Sequence, residues 1–392
     1  MIDFTFQNPT RIHFGRDSLN QLANEVAACG TRVLLVYGGG SIKRTGVYDK
    51  VMAQLSAANA QVWELPGVQP NPRLALVYQG IQICREQNIQ LVLAVGGGSA
   101  IDTAKAIANG ACYDGDAWDL FTGKGENTEV LPLGTVVTIP AAGSEMSNSS
   151  VITREEDQCK RGRNTPLNFP RFSILNPEFT FTLPPYQTAC GVVDIMAHMM
   201  ERYFTQVEHV DVIDRMTEGA LKSVVLNAPI AMQTPDDYDA RAEIMWAGCL
   251  AHNTLFQTGR IGDWASHKLE HELSALYDIA HGAGLAIMFP AWMKYVLPRG
   301  GAHKLAQFAT RVFDVPETLG DEAAIAAEGI ARLEAFYRSL GLTTTLRENN
   351  IGSGDFDRMA ERAVAMAGGT LGAFLPLKVF DAKAIYTLAL GE

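Results

Sequence analysis

Charge is scarce in this chain, and basic charge is scarcer still. Charged residues make up 19%, and 32 Lys and Arg face 43 Asp and Glu for a net charge of −11. A general nucleic-acid binder needs a basic surface to neutralise phosphates, so nucleic acid is not an expected partner. A local pocket for one anionic cofactor remains open. Long apolar runs are also missing: none reaches the roughly 18 residues of a membrane span, so no membrane partner is expected. The start, MIDFTFQNPTRIHFG, lacks a basic stretch ahead of an apolar core, and no signal peptide is read. No C-x-x-C pair occurs among the six cysteines, Cys29, Cys84, Cys112, Cys159, Cys190 and Cys249. Scattered in this way they read as reduced, mostly buried thiols of a cytoplasmic protein rather than metal ligands. Repeats and low-complexity stretches are absent. So are the G-x-G-x-x-G and G-x-x-x-x-G-K-[ST] fingerprints.

What is present is enough apolar material for two domains. The chain has 392 residues and is 47% hydrophobic, long for one core and typical of an enzyme-sized globular protein. Its first half alternates short apolar runs with helical patterns. Arg32–Tyr37, Val62–Leu65, Leu91–Val95, Gly134–Ile139 and Phe172–Leu175 read as strands. Helical patterns lie between them, at Val47/Val51/Leu55, from Leu74 to Gln87 and through AIDTAKAIANGA. Such succession predicts a parallel sheet covered on both faces. After Pro184 strand-like runs disappear. Gln187–Gln206, Val210–Met232, Tyr238–Thr258 and Ala323–Ser339 carry apolar residues at helical spacing. The expected architecture is therefore α/β plus all-α. A parallel-sheet domain spans 1–183 and an all-helical domain spans 184–392, with FTLPPYQT as the hinge.

Two strands end in glycine-rich turns, Gly38-Gly39-Gly40-Ser41 and Gly96-Gly97-Gly98-Ser99. Glycine lets backbone N–H groups approach a phosphate. A single such turn is as easily a plain strand–helix connection. Two at successive strand ends favour a dinucleotide, because ligands bind outside those ends. Asp102 could cap the following helix or reach a ligand. A third small, polar turn, Thr138-Ile139-Pro140-Ala141-Ala142-Gly143-Ser144-Glu145, could line the same cleft.

The second half holds the sharper signal. The chain has only 8 histidines, and His267, His271 and His281 fall close together. Residues four apart share a helix face. Asp194/His198 is one two-ligand face, and His267/His271 looks like another. Asp194/His198 alone would read as an ordinary polar pair. With three clustered histidines, and with His281 followed by the apolar GAGLAIMFP, the two segments read as one divalent-metal site. Carboxylate plus imidazole suits Fe(II) or Zn(II) better than Mg(II) or Ca(II).

These residues resemble the iron-containing alcohol dehydrogenase family. The matching pieces are GGGSAIDTAK (Gly96–Lys105), TIPAAGSE (Thr138–Glu145), GVVDIMAH (Gly191–His198), HKLEHELSALYDIAHGAGLAI (His267–Ile287) and TRIHFG (Thr10–Gly15). YGGGSIKRTGVYDKV (Tyr37–Val51) is most similar to the butanol dehydrogenase and NADPH-dependent aldehyde reductase branch. The resemblance implies that 1–183 is a Rossmann-like domain, that 184–392 is an all-helical metal-binding domain, and that the active site lies in the cleft between them. It implies one metal on Asp194, His198, His267 and His281, with His271 beside the nicotinamide, outside the metal shell. His271 is then either a proton relay or a packing group beneath the nicotinamide. The resemblance also implies cofactor contacts from Gly38–Ser41, Gly96–Ser99, Asp102, Thr138, Ile139, Ser144, Ser147 and Lys160, and a homodimer. Two positions depart from the branch: Ser147 stands where Asn is common, and Asn176 where Asp is usual.

The function so implied is reversible hydride transfer between NADP(H) and a small primary alcohol or aldehyde. NADP(H) is expected over NAD(H) because the first loop carries no acid and brings Ser41, Lys43 and Arg44 close. Glu64, at the end of the next strand, is the one counter-signal. A metal- and NAD-dependent cyclase resembling dehydroquinate synthase is the alternative. It needs basic residues for phosphorylated sugars, whereas Asp263, Trp264, Ala265 and Ser266 precede His267. A non-catalytic metal- or nucleotide-binding protein is a third reading, disfavoured by the intact ligand set.

Overall fold

The computed structural model describes residues 1–391. Six parallel strands form the main sheet: β1 (Arg11–Phe14), β2 (Arg32–Tyr37), β3 (Gln61–Leu65), β4 (Leu91–Gly96), β5 (Leu133–Val137) and β8 (Phe172–Leu175). β6 (Ser149–Arg154) and β7 (Cys159–Asn164) make a separate antiparallel pair. The helices among them are α1 (Leu22–Cys29), α2 (Ser41–Arg44), α3 (Val47–Ala57), α4 (Leu74–Glu86), α5 (Gly98–Ala111) and α6 (Asp119–Thr122). From there on the chain is largely helical. α7 (Pro185–Tyr203), α8 (Asp211–Gln233), α9 (Tyr238–His252), α10 (Ala265–Tyr277), α11 (His281–Val296), α12 (Ala302–Phe313), α13 (Glu322–Ser339), α14 (Phe356–Met366) and α15 (Val379–Leu390) follow. No helix among the described residues is long and apolar enough to cross a membrane.

The main sheet runs in the order β1-β8-β5-β4-β2-β3. Successive side chains on a strand point to opposite faces, and the burial shows it. Leu34 and Val36 of β2 enter one core with Val77, Ile101 and Ile107 of α4 and α5. Val33 and Leu35 enter the other with Val26, Val51 and Leu55 of α1 and α3. Helices on both faces explain why these strands read as continuous apolar runs. β3 pairs on one side of β2 and β4 on the other. The chain therefore reverses its direction of travel across the sheet between β2 and β4. That is the topological switch point, where ligands of open α/β sheets bind beyond the strand ends. The two glycine turns follow these two strands.

Two compact units divide the chain, and two segments cross the expected ranges 1–183 and 184–392. Pro235–Asn253, including α9, belongs with Gln7–Leu183. His252 Nδ1 meets the Ala142 carbonyl at 2.8 Å, Cys249 Sγ donates to Glu145 Oε1 at 3.1 Å, and Trp246 packs edge-on against Phe14. Conversely, Met1–Phe6 belongs with the helical unit, where the Ile2 N–H donates to the Gly259 carbonyl at 3.0 Å. Helical periodicity showed that α9 is a helix but not where it packs.

Within the helical unit, α11 is buried almost all round, from Gly282 through Met293. A helix apolar on every side is a core helix, and α7, α10, α13 and α15 pack on it. The six cysteines form no disulfide; Cys84, Cys159 and Cys249 are buried, but Cys112 is exposed and Cys29 and Cys190 are partly so.

Candidate active site

On α7, Asp194, His198 and Glu201 stand at i, i+4 and i+7, one face of the helix. On α10, His267, Glu270 and His271 share another. His281 is the first residue of α11. Two glycines let these helices touch. A Cβ on Gly282 would lie 2.0 Å from the Cys190 carbonyl of α7, and one on Gly284 would lie 2.7 Å from Glu270 Cγ of α10. The GAG after His281 thus serves helix contact and sets His281 against Asp194.

One ligand atom each from Asp194, His267 and His281 lies within 4.8 Å of the others. His281 Nε2 is 3.7 Å from Asp194 Oδ1. His267 Nε2 is buried without a hydrogen-bond partner, and Asp194 Oδ1 has His198 Nδ1 at 3.1 Å. Buried polar atoms are nearly always satisfied, so the unmet His267 nitrogen beside this carboxylate marks a place for a cation. The other ring nitrogens are already fixed. His267 Nδ1 meets Glu201 Oε1 at 2.8 Å, and His281 Nδ1 meets Glu270 Oε2 in a very short contact. A carboxylate on Nδ1 sets the tautomer and leaves Nε2 as the ligand. Glu201 also accepts the N–H groups of Trp264 and His267 at 2.5 and 2.9 Å, so it caps α10 while aiming His267.

Electrostatics agree with a metal-binding set. Burial opposes charge on Asp194, but His198, His281 and His267 outweigh it and hold the carboxyl far below its ordinary range. Burial, then the charges of His198 and His281, push His267 well down, which keeps its imidazole neutral. Burial lifts Glu201 to about 7 against the N–H groups it accepts. Three oxygen and nitrogen donors of this kind fit Fe(II) or Zn(II).

His198 is not one of the three grouped residues, but its Nδ1 lies 3.1 Å from Asp194 Oδ1. Its ring centre is 4.6 Å from that of His267, and its Nδ1 hydrogen-bonds the Asp194 carbonyl at 2.9 Å. His271 lies 5.6 Å, ring to ring, from His281 and is partly exposed. It forms a second close group with Glu270 and His281.

The sheet-side residues are placed differently. Gly39 opens onto empty space, and Gly40 has φ +96°, a conformation that favours glycine. Gly97 is confined: a Cβ there would lie 2.9 Å from Ile139, so the second loop and the third turn press together. Gly38 follows β2, Ser41 begins α2, Gly96 ends β4, and Gly98 and Ser99 begin α5; Thr138 donates its N–H to the Gly96 carbonyl. Asp102 neither caps α5 nor reaches out. Its carboxylate takes the Ser144 hydroxyl at 2.6 Å and the Val151 N–H at 2.8 Å. Ser144 and Ser147 also turn inward, to Lys105. That buried ammonium meets both hydroxyls and the carbonyls of residues 144, 147 and 149 at 2.7–3.2 Å. It acts as an internal cation holding the turn. Lys160, on β7, is buried and donates to Asn71 Oδ1 at 3.0 Å. Asn176 accepts the Glu178 N–H, a local turn contact.

Sequence reading missed Glu201, Glu270 and Lys105. A signal existed for the first: Glu201 continues the Asp194/His198 face by one more turn.

Residues 9–177 match the Iron-containing alcohol dehydrogenase family, and residues 188–390 match the Fe-containing alcohol dehydrogenase family, C-terminal. The chain belongs to the iron-containing alcohol dehydrogenase family. It is 48% identical over 390 residues to the Probable NADH-dependent butanol dehydrogenase 1 of Bacillus subtilis, covering 100% of both chains. It is 39% identical over 351 residues to the NADPH-dependent aldehyde reductase YqhD of Escherichia coli, covering 89% of each. The crystal structure of an NADH-dependent butanol dehydrogenase A from Thermotoga maritima superposes with a TM-score of 0.95 at 38% identity, covering 99% of each chain. A metal site on Asp194, His267 and His281 and a nicotinamide cofactor are typical of this family.

Proposed function

We propose that the chain catalyses reversible hydride transfer between a nicotinamide cofactor and a small primary alcohol or aldehyde, with His198 as the fourth metal ligand. The observation that carries this reading is the orphaned His267 Nε2 in the close group with Asp194 and His281, whose two histidines are each fixed through Nδ1 by a carboxylate. A divalent ion bound there supplies Lewis acidity toward a carbonyl or alkoxide oxygen. The nicotinamide supplies or accepts the hydride. Asp194 contributes the one negative charge of the ligand set, and neutral imidazoles contribute none, so the loaded site stays net positive and favours an alkoxide. Glu201 and Glu270 hold the ring orientations on which that geometry depends. His271, partly exposed beside His281, is placed to hold the alcohol proton on a ring nitrogen and release it to solvent.

For the cofactor, the acid-free first loop supports NADP(H), as the sequence suggests. Against it, four relatives at 42–48% identity are named NADH-dependent and the NADPH-dependent reductase is at 39%, and Glu64 occupies Lys43. Our reading is that both cofactors are accepted, with a narrow margin for NADP(H). The assembly we infer from the family likeness is a homodimer of the 42.5 kDa chain. The test is a panel of primary aldehydes and alcohols with NADH and NADPH on protein of defined metal content. No turnover with any pair overturns the activity. A kcat/KM preference for NADH overturns the margin alone.

A further inference from the structure

Glu64 is the penultimate residue of β3, the strand beside β2 on the side away from β4. The two strand ends are tied together: Val68 N–H donates to the Tyr37 carbonyl at 3.2 Å and Gly67 N–H to the Gly38 carbonyl at 3.3 Å. The Glu64 side chain is thereby held at the first glycine loop. Its Oε2 accepts the Tyr37 hydroxyl at 2.5 Å, and its Oε1 accepts the Tyr48 hydroxyl at 2.9 Å. Lys43 Nζ stands 3.4 Å from Oε2, 4.5 Å from the Tyr48 ring centre and 5.3 Å from that of Tyr37. The Tyr37 hydrogen bond, with those of Tyr48 and Lys43, holds the Glu64 carboxyl below its usual range, so it stays ionised.

An acid at the end of the strand next to a glycine-loop strand is where a dinucleotide fold binds a ribose 2′-hydroxyl and repels a 2′-phosphate. Glu64 has that place, but both its oxygens already accept hydrogen bonds within the cluster. A lysine beside such a loop is the reverse, a point charge for phosphate. Here the two face each other in one cluster. Lys43 keeps half of its side chain exposed, so it can meet an incoming anion without leaving the tyrosine rings. Glu64 partly neutralises it and adds its own repulsion.

We propose that Glu64 is a specificity-determining residue: by holding Lys43 it limits how strongly the first glycine loop takes a 2′-phosphate, and so sets the choice between NADP(H) and NAD(H). This rests on the β2/β4 crevice being the dinucleotide site.

The test is equilibrium binding of adenosine 2′,5′-bisphosphate and of 5′-AMP by calorimetry, on the full chain, for wild type, Glu64→Gln and Lys43→Met. The two probes differ only in the 2′-phosphate. Glu64→Gln should raise the bisphosphate-to-AMP affinity ratio on the order of tenfold, the scale of a partly screened charged contact. Lys43→Met, an exposed change that leaves the fold alone, should lower the ratio several-fold. The kcat/KM ratio of NADPH to NADH should move the same way. Unchanged ratios in both variants, with both probes binding, would overturn the role of Glu64 and leave the dinucleotide site standing. Failure of both probes to bind the wild type would overturn the site itself, and this proposal with it.

Discussion

The helices that carry the metal site and the two glycine loops are built from different material. The first uses side chains projected from three helices, with Glu201 fixing His267 and Glu270 fixing His281. The second uses backbone. Its side chains, Ser144, Ser147 and Asp102, are turned inward to hold the turns in shape. A side-chain site on helices is precise and intolerant, because every ligand is fixed by packing. A backbone site on turns keeps its donors through most substitutions and changes its preference instead. Substitutions in the helices should therefore abolish, and those in the loops should retune.

The largest effect expected is from His267→Ala. It removes one of the three clustered ligands and strands Glu201 without its imidazole partner. Metal and turnover should both fall to background while the circular dichroism stays near wild type, because α10 is still capped through backbone N–H groups. Full metal retention on elemental analysis would break the assignment of this cluster.

Next is His271→Ala. If His271 carries the proton, kcat should drop about 10²–10⁴-fold, the usual contribution of a general acid–base group, with metal content unchanged. A smaller drop favours packing beneath the nicotinamide. Loss of metal instead would move His271 into the ligand set, which its close group with Glu270 and His281 makes a sharp question.

Both predictions concern residues that spacing had exposed, and that is no accident. D-x-x-x-H and H-x-x-x-H are visible because helical period is written in the sequence, and histidine is rare enough here for a cluster to stand out. The parallel sheet was legible for a similar reason: strands buried on both faces must be apolar throughout. β6 and β7 were not seen, since SSVITR and CKRGRN are short, polar and partly exposed. Nor was β1, whose RIHF carries two charged or polar residues in four. Glu201 and Glu270 escaped because a lone acid in a helix usually faces water; only its helical phase with the ligands distinguishes it. Lys105 escaped because its partners are backbone carbonyls some 40 residues away.

Glu201→Gln comes third. The amide keeps one acceptor for the α10 N–H groups but cannot take the charge-assisted bond from His267 Nδ1. Outer partners of this kind are typically worth about 10–100-fold in metal affinity. Competition against a calibrated chelator measures it. A matching loss of metal affinity in Glu270→Gln would show that both histidines depend on their acids. A fall in melting temperature with unchanged metal affinity would make Glu201 only a helix cap.

The smallest effect belongs to the loops, and it separates retuning from destruction. Gly39 has empty space around its Cβ position and a backbone conformation open to other residues. Gly39→Asp should therefore fold normally, within the roughly 0.5 kcal/mol usual for exposed sites. The new carboxylate would sit in the first loop near Lys43, where it repels a 2′-phosphate and can accept a bond from ribose hydroxyls. NADPH kcat/KM should fall on the order of tenfold, while NADH is held or improved. The metal content should not change. Paired kinetics with the two cofactors measure the shift. An equal loss with both would mean that the loop, like the helices, tolerates no change, and the contrast between the two regions would collapse.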